Sequence, residues 1–175
     1  MNAANSTSLE VADENVAWET QSPAAIIEFI LRRFHEPLRR ALPVLVSGAR
    51  LVEAETSPSP LRPTGLADHL EQILMAVESH LAKEEKILFP LILAGRGGSA
   101  FMPIKVMMAE HEDHVANLQR TRVLTHDFVL PVDASETWRT LYLDLQRLEA
   151  DLNQHIHLEN TVLFTRVMSG AGDGR

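Results

Sequence analysis

The sequence predicts an all-α protein, an up-down-up-down four-helix bundle built from a duplicated helix pair. Three observations carry that expectation. Apolar residues recur at three- and four-residue steps along four long stretches. No stretch shows the two-residue alternation of a half-buried strand. The chain also repeats itself: His80-x-x-x-Glu84 followed by Ile87-Leu88-Phe89 recurs 75 residues later as His155-x-x-x-Glu159 followed by Val162-Leu163-Phe164. His35 and His111 lie 76 apart and precede those pairs by 45 and 44 residues. Two such halves would be related by an approximate two-fold axis, with the site on it.

The first helix starts at Ser22-Pro23, a capping hydroxyl followed by proline at the first helical position. Its stripe is Leu31, His35, Leu38, Leu42, Leu45 and Ala49, and Pro37 and Pro43 predict a kink just after the histidine, since each removes a backbone hydrogen bond. Residues 56–63, Thr-Ser-Pro-Ser-Pro-Leu-Arg-Pro, read as a connection. A second helix begins near Thr64, with Leu66, Leu70, Ile73, Val77, His80, Glu84, Ile87 and Leu91 in its stripe, and should end at Gly95, Gly97 and Gly98. A third, from about Pro103 to Thr125, carries Ile104, Met108, His111, Val115 and Leu118. Asp133 and Glu136 resemble a capping box for the fourth, whose stripe runs Trp138, Leu141, Leu145, Leu148, Leu152, His155, Glu159, Val162 and stops near Gly170.

At 175 residues and 45% hydrophobic content the chain is the size of one domain with a substantial core. Residues 22–169 form the expected bundle, 1–21 a loose N-terminal tail and 170–175 a C-terminal tail. There are 0 cysteines, so disulfides, thiolate-held zinc or iron-sulfur ligation and a cysteine nucleophile are excluded, and any metal must be held by nitrogen and oxygen. A formal net charge of −8 without a basic stripe speaks against nucleic acid as a partner. No apolar run reaches the roughly 18 residues a membrane helix needs, and the N-terminus lacks the pattern of a secretory signal. A cytoplasmic location is expected.

On a helix, residues four apart share a face, so each His-x-x-x-Glu presents an imidazole and a carboxylate side by side. His35, His80, His111 and His155 all occupy stripe positions, one per helix, and Glu84 and Glu159 stand where leucine would be expected. A buried carboxylate must be neutralised, yet the stripes offer no lysine or arginine up to those glutamates. Two metal ions would supply the charge. Imidazole and carboxylate suit iron, manganese or zinc, and two carboxylates aimed between two histidine pairs are placed to bridge a pair of ions, which di-iron fits best. The Glu-x-x-His of ferritin-like sites and the His-Glu-x-x-His of zinc proteases are both missing. His114, at the edge of the His111 face, is a candidate fifth imidazole, although a hydrogen-bonding or surface role is the expectation; His157 points away, and His69 and His126 read as surface or loop residues. Trp138 and Tyr142 read as core.

His80-x-x-x-Glu84-Glu85 with Ile87-Leu88-Phe89-Pro90, Met107-Met108-Ala109-Glu110-His111, and His155-Ile156-His157-Leu158-Glu159-Asn160 with Val162-Leu163-Phe164 resemble the hemerythrin-like (HHE) proteins of the repair-of-iron-centres type. Arg33-Phe34-His35 and Leu42-Pro43 extend the resemblance over about residues 22–168. It implies a cytoplasmic non-haem di-iron protein of nitrosative and oxidative stress. The four histidines would be terminal ligands, with Glu84 and Glu159 bridging two iron ions alongside an oxo or hydroxo group. Iron donation to damaged iron-sulfur proteins, and binding or reduction of nitric oxide, are the activities it implies. Family members commonly carry an N-terminal domain with a cysteine pair, which this sequence lacks. Oxygen carriers have a His-x-x-x-His on the third helix, where this chain has Val115. One imidazole fewer leaves room for exogenous nitric oxide or oxygen at both irons. The alternative is an oxygen- or redox-sensing module without catalysis.

Overall fold

The structure is a computed structural model describing residues 17–56 and 58–170. Among them, four long helical rods form an all-α bundle without strands. The first rod is α1 (Pro23–Ile30), a wide π turn (Leu31–His35) and α2 (Glu36–Glu53). The second is α3 (Leu66–Lys83), a wide turn (Glu84–Leu88) and α4 (Phe89–Leu93); the third is α5 (Gly97–Leu124). The fourth joins α6 (Glu136–His157), a wide turn (Leu158–Leu163) and α7 (Phe164–Met168). Helix α2 packs against α3 and α6, while α5 packs against α3, α4 and α7. Consecutive rods are neighbours, as antiparallel helices with short links should be.

Local chemistry explains the ends. The Ser22 hydroxyl accepts from the Ala25 N–H at 3.2 Å with Pro23 at the first helical position. Before α3 the cap is Gly65 at φ +83°, and the Glu53 carboxylate accepts from the Ala67 N–H at 3.0 Å. The fourth rod is capped by Ser135, whose hydroxyl accepts from the Trp138 N–H at 3.1 Å, so the expected Asp133 capping box does not form. Ser135 also bonds Glu55, which ties the cap to the loop beyond α2.

One expectation needs correction. Gly97 and Gly98 do not break the chain: only Gly95, at φ +65°, turns it, and α5 begins at Gly97 with Pro103 inside its first turns. The first rod continues past Pro37 and Pro43; the wide turn, in which the Glu36 N–H reaches back to Leu31, directly precedes Pro37, and Pro43 lies inside α2. Of the tail, residues 1–16 lie outside the described residues, as do 171–175. Its last part is pinned: Trp18 sits 4.2 Å from the Phe29 ring, and Arg166 bonds the Gln21 carbonyl.

The wide turns also reset the buried face. Each spends one residue more than an α turn, so beyond Glu84 the core takes Leu88 and Phe89, at 1% and 2% exposure, while Ile87 is 53% exposed. The same step after Glu159 buries Leu163 and Phe164. In the second rod the extra residue is followed by Pro90, which cannot donate; in the fourth its counterpart is Thr165, whose hydroxyl donates to the Asn160 carbonyl at 2.9 Å.

Candidate metal centre

All six predicted site residues meet in the middle of the bundle. His35, His80, His111 and His155 are at most 2% exposed, and Glu84 and Glu159 are fully buried. Three wide turns contribute: His35 ends one, Glu84 begins another, and Glu159 lies in the third, while His111 comes from the regular part of α5.

Two pockets result. The first gathers His35, His155, Glu84 and Glu159; the second gathers His80, His111 and the same two glutamates, with all ligand atoms of each set within 4.8 Å of one another. Glu84 turns Oε2 to His35 at 3.4 Å and Oε1 to His80 at 3.5 Å. Glu159 turns Oε1 to His155 at 3.1 Å and Oε2 to His111 at 3.2 Å. Each carboxylate therefore serves both pockets, and each pocket mixes one histidine from either half of the sequence. None of the four carboxylate oxygens has a hydrogen-bond partner.

The histidine tautomers sharpen the point. The Nδ1 atoms of His35, His80 and His111 lie 2.9, 3.0 and 3.0 Å from carboxylate or amide oxygens of Glu85, Glu110 and Asn160. Those oxygens accept, so each Nδ1 carries the proton and each Nε2 keeps its lone pair. His80 and His111 then aim two lone pairs at each other across 3.1 Å. Between lone pairs that is a repulsion unless a cation lies among them. Buried anionic oxygens without donors and inward lone pairs are a donor set that fits a metal ion.

A family model, the hemerythrin HHE cation binding domain, matches residues 27–167. The chain belongs to the hemerythrin HHE family. Two of its curated relatives are the iron-sulfur cluster repair protein YtfE of Yersinia pseudotuberculosis serotype IB (strain PB1/+) and that of Yersinia pestis (strain Pestoides F). Each is 42% identical over 153 residues, covering 87% of this chain and 69% of the relative. Among the described residues no helix is long and apolar enough to cross a membrane.

Protonation in this HHE bundle follows burial. His35 is lowered from 6.5 to about 4, first by burial and then by His155; His80 falls to about 3, first by burial and then by His111. Glu84 is pushed well above the ordinary carboxylate range by burial and then by the charge of Glu159. Without a cation the two carboxylates do not both ionise.

Sequence reasoning missed the outer partners. Glu85 is clamped by Arg39 at 2.7 and 3.1 Å, and Glu110 pairs with Lys83. The available signal was positional: Glu85 and Asn160 each follow a site glutamate, 75 residues apart. It also misjudged two histidines. His69 is buried, its Nε2 3.0 Å from the Asn117 carbonyl and 3.2 Å from the Thr121 hydroxyl. His114 is only 3% exposed and meets His80 edge-on with ring centroids 4.8 Å apart, yet belongs to neither four-residue set. Burial, then the His111 imidazole, lowers it to about 4, so it is neutral. His126 and His157 are exposed, and Trp138 and Tyr142 are core, as expected.

Proposed function

We propose that this chain is a non-haem di-iron protein of the nitrosative and oxidative stress response that takes nitric oxide or oxygen at its buried centre and donates iron for iron-sulfur cluster repair. The observation that carries this reading is the division of each buried carboxylate between two histidine pairs, which asks for two ions. The repair role rests on the 42% identity to proteins named for iron-sulfur cluster repair.

His35 and His155 would hold one ion, His80 and His111 the other, and Glu84 and Glu159 would span both. When bound, two irons in this nitrogen and oxygen environment supply a redox-active position open to a small diatomic ligand. The chain supplies the rest. The glutamates balance cationic charge away from water, and Glu85, Glu110 and Asn160 keep the lone pairs of three imidazoles pointed inward. Phe34 stacks on His155 at 5.3 Å, Phe89 on His35 at 5.7 Å and Phe164 on His111 at 6.0 Å, walling the site with apolar rings. Protons compete with metal for these imidazoles and carboxylates, so acid promotes iron release.

Metal analysis of the purified protein should give two irons per chain. Anaerobic mixing of the ferrous protein with nitric oxide should change its spectrum or yield nitrous oxide; if it does neither, the nitric-oxide reading falls. Iron retained undiminished from neutral pH to about pH 5, below the ordinary histidine pKa, would count against donation.

A further inference from the structure

His114 is a buried polar side chain with no work in the ligand set. Both its ring nitrogens are without a hydrogen-bond partner. A neutral imidazole in that state has one donor and one acceptor removed from water and unanswered, which costs stability. The cost is not forced by packing. By the 76-residue repeat the counterpart of His114 is Leu38, 2% exposed, which fills the equivalent place in the other half with an apolar side chain. Leucine fits this fold there, so the imidazole at 114 answers to something other than the core.

Its place says what. His114 lies one helical turn after His111 and against the His80 ring, at the second pocket. The mutual distances that define that pocket's ligand set leave it out. A ring beside a metal pocket but outside its ligands can address what the metal binds.

On the reading above, we propose that His114 donates a hydrogen bond to an exogenous ligand in the second pocket, making the His80/His111 side the one that accepts small ligands with a hydrogen-bond-accepting end. The first pocket, with Leu38 in the matching place, offers no such donor. The bond would also answer the orphaned ring.

The test uses the iron-loaded protein with azide as the probe, comparing His114→Leu, which copies Leu38, with His114→Gln, which keeps an N–H. Iron content should stay at the unsubstituted level in both. Azide affinity should fall about tenfold in His114→Leu, the worth of one hydrogen bond in a dry site, and recover in His114→Gln. Unchanged azide binding in His114→Leu would overturn the proposal, as would a glutamine variant no better than leucine. Loss of iron in His114→Leu would overturn it in favour of direct ligation. Unsubstituted protein that holds iron but no azide refutes this inference alone; unsubstituted protein that takes up no iron refutes the di-iron reading beneath it.

Discussion

The two pockets are related by the repeat, yet they are dressed differently. In the first, the His35 Nδ1–H meets Glu85, which Arg39 clamps; in the second, the matching His111 Nδ1–H meets Asn160, and the position matching Arg39 is Val115. A charged acceptor comes with its cation, and a neutral one comes without. The other histidine of each pair reverses the pattern. His80 has Glu110 with Lys83 beside it, while its counterpart His155 has Phe34, and Leu158 stands where Lys83 would be. The Nδ1 of His155 is left without a partner. Each pocket thus keeps one imidazole backed by an anion, but on opposite members of the pair. The inner six residues are held to symmetry by the shared carboxylates; their supports are free to diverge.

The largest effect that could break this comparison is loss of a shared carboxylate. Glu84→Ala or Glu159→Ala should each empty both pockets, and metal analysis showing one ion retained per chain would mean that the pockets are not joined. Next comes pH. The metal-free protein keeps His35 and His80 neutral until about pH 4 and about pH 3, whereas the unfolded chain takes up those protons near 6.5. The unfolded state therefore binds more protons below 6.5, so stability holds above that pH and falls as the pH drops toward 4 and then 3. Thermal melts in chelator across pH 7.5 to 4 should show Tm declining from about 6.5 downward; a flat profile would contradict neutral imidazoles in both pockets.

A packing pair sharpens the contrast between Leu38 and His114. Leu38→Ala removes a core side chain and should cost ~2–5 kcal/mol in denaturant unfolding of the metal-free protein, whereas His114→Leu should raise its stability by about 1 kcal/mol as two unanswered polar atoms disappear. The most local effect is Glu110→Gln, which should weaken one ion about 10–100-fold in a chelator competition and leave the other in place. Equal weakening of both ions would show that support at the second pocket is felt across the shared glutamates.

The six central residues and the four rods were legible because both follow from period and burial: a carboxylate on an apolar stripe without a cation can be read in one dimension. What was not legible depends on phase. The third helix offers two faces with equally good three-and-four spacing, one through Met108 and Val115, the other through Met107 and His114. Hydrophobicity favours the first, but the bundle buries Met107 and His114. Polarity misleads at a site whose purpose is polar. Ile87 failed differently, since a wide turn beginning at Glu84 moves every later side chain by one position, and a period of 3.6 cannot anticipate it. The proline after that turn, like Pro37 after the first, was the visible trace. The cap is Ser135 where the sequence suggested Asp133, and Ser135 bonds Glu55, 80 residues earlier in the chain.

The wide turns decide where a rod tolerates a change of length. Adding one residue to a regular helix rotates everything downstream by about 100°, whereas a wide turn absorbs the extra residue, so the chain beyond Glu84 keeps Phe89 and Ile92 on the core. Deleting one residue from 85–88 would return that wide turn to a plain α turn, in which the former Phe89 stands four residues after Glu84 and stays on the core face. Such rods take a change of length at the wide turn, while one residue gained or lost in their regular stretches would swing the following side chains off the core.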